Sequence, residues 1–290
     1  RASEVLHVTP SSVSRAVSGL EHEFGAPLFE RSSKGMRLTA AGDLLARQTR
    51  AMFRDLDRLR DSIDGLRGLH RGQVTLFAPE GLVAEFLPGA LSAFHSKHPQ
   101  IDFDIRFDST DGIVGAILDD VADIGITFNG PQRQDIATVA EYAEPLYCLV
   151  RPGHPLEDEL RGGALNPAAL ANYPLALPET SFGMRRMVDA GLLAIGLKPR
   201  VAFNTNSLEL TKRIAMQGDA VGFMPVFMVR KDIAAGRLRA LPLESAAFEN
   251  ARVTVCVHRD RALSFAARAL CSDLAAHFAA LGPEPSHTPS

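Results

Sequence analysis

Hydrophobic residues near the start of the chain recur with the period of a helix. Between Pro10 and Gly25 the spacings are four, three and four, at Val13, Val17, Leu20 and Phe24. This pattern predicts an amphipathic helix with one buried stripe. Thr9 suits the N-cap, Pro10 suits the first helical position, and Gly25 suits the left-handed cap that ends a helix. A short helical stretch, residues 2–7, precedes it.

The opposite face of this helix is made of small hydroxyl side chains and one arginine. The candidate nucleic-acid contacts are Thr9, Ser11, Ser12, Ser14, Arg15 and Ser18. Small hydroxyls allow close approach to a polar partner, and arginine can bond phosphate or guanine. Two helices joined by a tight turn indicate a helix-turn-helix, whose second helix enters the major groove of DNA. An ordinary helix with a solvated polar face fits the periodicity equally well.

The residues that follow favour the DNA-binding interpretation. Pro27 to Thr39 alternates short apolar segments around a Ser-Ser-Lys-Gly tip, which predicts a two-stranded wing with Arg31, Lys34 and Arg37 free for phosphates. Thr39 then caps a long helix that we expect to reach about Leu66. Its apolar seam has the alternating four-three spacing of a coiled coil, which predicts dimerisation. The seam residues are Leu45, Thr49, Met52, Leu56, Leu59, Ile63 and Leu66.

The rest of the chain alternates predicted strands and helices, which indicates an α/β fold with parallel β-sheet. A first set contains strands at 74–78, 101–107 and 122–128 with helices at 83–95 and 110–118. A second set follows a Pro-Gly-His-Pro loop at 152–155. It contains strands at 173–177, 200–203 and 221–224 with helices at 183–195, 208–217 and 227–235. A return strand at 252–257 and a closing helix at 262–281 complete two similar lobes.

Ligands of open α/β sheets bind beyond the carboxyl ends of strands, near helix N-termini. We therefore expect a small-molecule site at the corresponding loops, with Ser181 and Asn206 as hydrogen-bond donors and aromatic side chains as walls. Each of these residues has an ordinary alternative as a helix cap or a core side chain. The candidate ligand contacts are Glu80, Gly81, Thr127, Phe128, Ser181, Phe182, Asn206, Ser207, Met224 and Pro225.

Composition narrows the function classes. The chain of 290 residues has a net charge of −3, but residues 1–72 carry +3 and the remainder −6, which favours a polyanionic partner for the first part. Three dispersed cysteines and nine scattered histidines show no metal-ligand spacing. We find no catalytic constellation, so the sequence predicts no enzyme activity, cofactor or metal. No apolar run is long enough to span a bilayer.

The segment VTPSSVSRAVSGLEHEFGAPLFER, followed by GMRLTAAG and the long helix, resembles the LysR-type transcriptional regulators. FLPGALSAFHSKHPQIDFDI, DDVADIGI and AMQGDAVGFMP follow in the order typical of that family. The resemblance implies a winged helix-turn-helix (1–40, with its first helix truncated), a linker helix (41–67) and a two-lobed effector domain like type II periplasmic binding proteins (73–282). We expect lobe 1 at about 73–149 and 258–282, lobe 2 at about 150–257, and a disordered tail at 283–290.

Two positions depart from the family pattern. Pro10 stands where the family often has glutamine, so base recognition would depend more on the neighbouring serines and Arg15. Glu80-Gly81 stands where the family often has serine or threonine, which can hold a carboxylate. A fixed negative charge opposes an anion at short range. We therefore expect a neutral or cationic effector, or an anion held mostly from the second lobe near Ser181 and Arg185.

The sequence thus predicts a cytoplasmic, ligand-responsive regulator. It would bind double-stranded DNA and a small-molecule effector, assemble as a homodimer or homotetramer, and have no membrane contact. The alternative is a solute-binding protein without a DNA-binding role. The effector, the operator, the regulated genes, and the choice between activation and repression lie outside the sequence.

Overall fold

A computed structural model describes residues 2–32, 35–66, 71–249 and 251–281. The chain divides into two compact units, residues 1–57 and 58–290, and one long helix runs through the division.

The first unit is a small helical domain with a β-hairpin. Its elements are α1 (Ala2–Val5), α2 (Pro10–Phe24), β1 (Phe29–Ser32), β2 (Gly35–Leu38) and the first part of α3 (Ala40–Leu66). Thr9 caps α2 by accepting a hydrogen bond from the Ser12 amide, and Gly25 ends it at φ +64°. Strands β1 and β2 pair antiparallel, as the predicted wing requires.

The turn between α2 and the hairpin is fastened by Glu21. Its Oε1 accepts from the amides of Leu28 (2.8 Å) and Phe29 (3.3 Å). The start of α3 is tied to the same turn, since Thr39 Oγ1 donates to the carbonyl of Pro27 at 2.6 Å. The wing and α3 therefore hold a fixed position relative to the C-terminal end of α2.

The predicted buried stripe of α2 is wrong for this chain. No residue of α2 is fully buried, and Leu20 and Phe24 are 42% and 55% exposed. Val13 and Val17 are only half-buried, and the hairpin packs near the C-terminal end of the helix, where Glu21 bonds the amides of Leu28 and Phe29. The apolar residues whose spacing predicted the helix therefore form a partly exposed face of it.

The second unit contains ten strands and, beside the end of α3 and four short 3-10 helices, seven α-helices in the part of the chain that the structure describes. The strands are β3 (Gly72–Ala78), β4 (Ile101–Phe107), β5 (Ile124–Phe128), β6 (Ile136–Glu144), β7 (Leu146–Val150), β8 (Leu175–Pro178), β9 (Val201–Thr205), β10 (Gly222–Pro225), β11 (Arg239–Leu241) and β12 (Ala251–His258). The helices are α4 (Leu87–Lys97), α5 (Thr110–Leu118), α6 (Gly183–Ala194), α7 (Leu208–Gln217), α8 (Arg230–Ala234), α9 (Ala246–Glu249) and α10 (Phe265–Leu281).

Two lobes follow from the strand pairing. In lobe 1, five strands have the order β4-β3-β5-β12-β6, with β3 parallel to β4 and β5 and with β12 antiparallel to its neighbours. In lobe 2, the antiparallel sheet β10-β7-β11 lies beside the parallel pair β8-β9, and a single bridge between Leu175 and Val221 connects them. The α/β fold class is as predicted, but the sheets are mixed rather than purely parallel.

The predicted lobe boundaries need correction. Strand β7 was expected to belong mostly to lobe 1, yet it is the central strand of the three-stranded sheet in lobe 2. Strand β12 was expected in lobe 2, yet it pairs with β5 and β6 in lobe 1. Pro145 separates β6 from β7, and the chain passes from the sheet of lobe 1 to that of lobe 2 at this point. The predicted tail, 283–290, lies outside the described residues.

Candidate functional site

The polar face of α2 is accessible to a partner. Thr9 Oγ1 lies 3.0 Å from Ser11 Oγ and 2.9 Å from Ser12 Oγ, so three hydroxyls form one cluster at the start of the helix. Ser14, Arg15 and Ser18 are exposed further along the helix, and Ser12 is half-buried. The structure therefore brings the predicted contacts of α2 together on the accessible N-terminal half of the helix.

The wing arginines do not share one face. Arg31 pairs with Met36 across the hairpin, whereas Arg37 pairs with Glu30 at the neighbouring position. Because side chains alternate between the faces of a strand, Arg31 and Arg37 point to opposite faces of the ribbon. Both are exposed, while Lys34 lies outside the described residues. One flat surface cannot contact both arginines equally.

A cleft of about 400 Å³ lies between the two lobes of the second unit. It is formed where β3 and β4 of lobe 1 end and where α6 and α7 of lobe 2 begin. The nine lining residues are Glu80, Phe107, Asp108, Ser109, Glu179, Ser181, Phe182, Asn206 and Ser207. Three of the nine are carboxylates, and none is lysine, arginine or histidine.

One carboxylate of the cleft, that of Glu80, forms hydrogen bonds from lobe 1 to lobe 2. Glu80 lies in a 3-10 turn after β3, and its Oε2 accepts from Ser207 Oγ at 2.8 Å and from the Glu209 amide at 3.3 Å. Ser207 is also the N-cap of α7, where its Oγ accepts from the Leu210 amide. Glu80 therefore occupies the position at the start of α7 where a helix attracts negative charge.

Further hydrogen bonds join the lobes near the cleft. Thr110 Oγ1 accepts from the amide of Gly183 at 2.9 Å and donates to the carbonyl of Phe128. The close approach at this junction requires glycine, because a Cβ on Gly183 would lie 1.9 Å from the Phe128 oxygen. The Lys231 amide of lobe 2 also donates to Glu85 Oε1 of lobe 1 at 3.0 Å.

The arginines at the start of α6 are engaged by protein groups. Arg185 forms an ion pair with Asp189 at 2.8 Å and donates to the carbonyl of Pro178 and to Asn204 Oδ1. Arg186 bonds Asp111 of lobe 1 at 2.9 Å and the Thr180 carbonyl. Neither arginine lines the cleft. The structure thus gives no support to an anion held near Ser181 by Arg185.

Half of the predicted ligand contacts line the cleft. Glu80, Ser181, Phe182, Asn206 and Ser207 do so, and their role in binding stays a prediction.

The other five do not line this cleft, and their role in binding also stays a prediction. Gly81 packs against Met228 and Leu208 instead. Phe128, Met224 and Pro225 are buried; Phe128 lies on β5, an internal strand of its sheet, and Met224 and Pro225 lie on β10. Thr127 lines a different cavity of about 530 Å³ on lobe 1, because neighbouring residues of a strand face opposite sides.

The candidate ligand contacts left out four lining residues, Phe107, Asp108, Ser109 and Glu179, although Glu179 begins the loop that contains Ser181. Phe107 is the last residue of β4, and Asp108 and Ser109 follow it; this strand was predicted, but its end was not considered as part of the site. Asp108 Oδ1 accepts from the Ser109 amide at 2.7 Å, and Ser109 caps α5. The same rule that selected the other loops could have identified this one.

The three cysteines lie in apolar interiors. Burial raises the pKa of Cys148, and it raises the pKa of Cys256 and of Cys271 to about 12. All three are free thiols. Among the residues that the structure describes, no cluster of three or more His, Cys, Asp or Glu side chains could hold a metal ion. None of the described helices is long and apolar enough to cross a membrane.

Comparison with known proteins defines the class. The family model described as "LysR substrate binding domain" matches residues 67–279, and the model "Bacterial regulatory helix-turn-helix protein, lysR family" matches residues 1–43. The chain belongs to the LysR family of transcriptional regulators. The match of a DNA-binding domain confirms the regulator and leaves the alternative of a plain solute-binding protein without support.

Individual relatives agree with this assignment. The RuBisCO operon transcriptional regulator of Acidithiobacillus ferrooxidans is 28% identical over 251 residues, covering 84% of this chain and 79% of the relative. Among solved structures, a full-length OxyR variant from Pseudomonas aeruginosa is similar with a TM-score of 0.70 at 22% identity, over 96% of this chain and 88% of that one. The structure of full-length CbnR in complex with its target DNA is similar with a TM-score of 0.65 at 20% identity, over 97% of this chain and 93% of that one. The two structures support the fold.

Proposed function

We propose that this LysR-type regulator binds double-stranded DNA through α2 and the wing and responds to a small effector, cationic or neutral with many hydrogen-bond donors, in the interlobe cleft. The observation that carries the choice of effector is the charge of the cleft, where Glu80, Asp108 and Glu179 are the only ionisable side chains among the nine that line it. The regulator would act in the cytoplasm and without catalysis.

The charge of the cleft decides between effector classes because like charges oppose each other at short range. A carboxylate ligand would enter beside three carboxylates, with no cation on the lining residues to offset the repulsion. An ammonium or guanidinium group would pair with them and form charge-assisted hydrogen bonds. Phe107 and Phe182 offer apolar walls in the same cleft, which suits a ligand with a short hydrocarbon body.

The experiment is a thermal-shift and calorimetry series on this chain with ligands of matched size and different charge, namely putrescine, butanediol and succinate. Ligand binding to the folded state raises the unfolding midpoint by mass action. We expect stabilisation by the diamine, and we expect it to be reduced in Glu179→Gln and retained in Glu249→Gln, a control outside the cleft. Tight binding of succinate alone would contradict the proposal.

The DNA-binding part of the proposal depends on the exposed face of α2. Arg15 is exposed next to the hydroxyl cluster, so it is available to a phosphate or a base edge. Fluorescence anisotropy with a DNA duplex at several salt concentrations tests this contact. Each phosphate contact makes the DNA affinity fall more steeply as the salt concentration rises. Arg15→Ala should weaken binding and, for a phosphate contact, reduce the salt slope by about one. Arg133→Ala, in the second unit, should change neither.

We also propose that α3 forms the dimer contact. Its predicted seam is exposed in the single chain, with Met52 at 68%, Leu59 at 56% and Ile63 at 43%. A regular apolar seam on an exposed helix is stabilised when a second helix covers it. A dimer would place two copies of α2 on one duplex, which fits a recognition site of twofold symmetry.

A further inference from the structure

The contact between Glu80 and the start of α7 is unusual because its two sides come from different lobes. Glu80 belongs to the turn after β3 in lobe 1, and Ser207 and Glu209 belong to the first turn of a ten-residue helix in lobe 2. The carboxylate satisfies the Ser207 hydroxyl and the Glu209 amide, which has no partner within the helix at that position. One side chain therefore supplies an anion to the opposite lobe.

The backbone beside Glu80 also lies against lobe 2. A Cβ on Gly81 would lie 2.0 Å from Met228 Cε and 3.1 Å from Leu208 Cδ1, both in lobe 2. The turn therefore touches lobe 2 through its backbone as well as through the Glu80 side chain.

We propose that Glu80 is a built-in anion that latches the two lobes at α7 and excludes anionic effectors from the cleft. The inference deepens the proposed function, since it rests on the cleft being the effector site. An anionic ligand cannot bind at the start of α7 because the Glu80 carboxylate already accepts the hydrogen bonds of Ser207 Oγ and the Glu209 amide. A cationic group in the cleft competes with Ser207 for Glu80, so that it weakens the latch and changes the relation of the lobes. Binding and lobe movement are thereby coupled through one carboxylate.

The test uses the full chain with Glu80→Ala and acetate, because acetate replaces the atoms that the substitution removes. We expect saturable stabilisation of Glu80→Ala by acetate, measured against chloride at equal ionic strength. Its affinity should exceed that of the wild type by at least about tenfold, as one charge-assisted hydrogen bond provides. The matched control is Glu179→Ala, which removes another carboxylate of the same cleft and should not gain acetate binding. Adding Ser207→Ala to Glu80→Ala should remove the gain.

A second variant covers the case in which Glu80→Ala does not fold. Glu80→Gln keeps the size of the side chain and loses its charge, so we expect faster hydrogen exchange at the Glu209 amide than in the wild type. Equal acetate affinity in the wild type and Glu80→Ala would overturn the proposal, as would unchanged exchange at Glu209 in Glu80→Gln. Neither readout needs the natural effector or DNA, so a failed diamine screen and a failed latch are distinguishable.

Discussion

Replacing Lys212 by methionine should destabilise the second unit much more than replacing its neighbour Arg213 by methionine. Both cations lie on α7 and both bond Glu209, Lys212 at 2.8 Å and Arg213 at 2.7 Å. They differ in burial, since the Lys212 side chain is 7% exposed and the Arg213 side chain 66%. Lys212 also pairs at 2.9 Å with Asp232, which is itself 12% exposed.

The magnitude follows from the charge that each substitution leaves behind. Lys212→Met leaves Asp232 largely buried with only Arg237 at 2.6 Å as an ion-pair partner among the described residues. Removing one partner of a buried pair costs about 3 kcal/mol, or somewhat less when another partner remains. In a domain of this size that corresponds to a fall of roughly 6–12 °C in the unfolding midpoint. Arg213→Met breaks an exposed pair and should cost less than about 1 kcal/mol.

The assay is urea unfolding of both variants, supported by calorimetry, at neutral and acidic pH. Burial would raise the pKa of Asp232, but hydrogen bonds from Lys212 and Arg237 outweigh it and lower that pKa. For Glu209, too, burial would raise the pKa, but hydrogen bonds from Lys212 and Arg213 outweigh it and lower that pKa. A carboxyl group whose pKa is lowered by folding contributes stability above its ordinary pKa of about 4 and loses it as the pH falls through the lower folded value.

The free-energy difference between Lys212→Met and the wild type should therefore shrink below pH 4 or so, where both carboxylates take up protons. Equal costs for Lys212→Met and Arg213→Met at neutral pH would refute the reasoning, because they would show that burial does not decide the value of these ion pairs. A cost of Lys212→Met that stayed constant into acid would refute the electrostatic explanation and leave only lost side-chain packing.

Three further outcomes follow from the structure. Leu56→Asp, which puts a charge into the predicted seam of α3 at a side chain that is 50% exposed, should lower the dimer fraction measured by light scattering. Val139→Asp, at an exposed position outside the seam, should not. Gly42→Ala should destabilise the first unit by more than about 1 kcal/mol, since the added Cβ would lie 1.9 Å from the Leu28 carbonyl oxygen. Gly19→Ala is the control, because a Cβ there would meet no described atom within 4 Å, and it should be neutral or stabilising. Thermal unfolding followed by circular dichroism measures both variants. The three buried cysteines should resist iodoacetamide at pH 8 until urea exposes them, because the thiolate is the reactive form; rapid native labelling would contradict their burial.

The sequence alone determined the local elements. Thr9, Pro10 and Gly25 set the ends of α2, because a cap hydroxyl, a missing amide and a left-handed glycine act within a few residues of the chain. Periodicity likewise predicted α7 at the bounds observed, Leu208–Gln217, and β4 at Ile101–Phe107. The family resemblance, confirmed by the two family models, followed from the same local segment.

Only the tertiary structure decided which residues meet. Strand β12 pairs with β5 and β6, about 110–130 residues earlier in the chain, and no local pattern could assign it to that sheet. The burial of Phe128 and Met224 depends on helices and strands from distant segments. Glu80 could be identified from sequence as a fixed negative charge, but not as the partner of Ser207. Contacts of this kind depend on chain closure over more than a hundred residues, whereas helix caps and periodicity depend only on neighbours in the sequence.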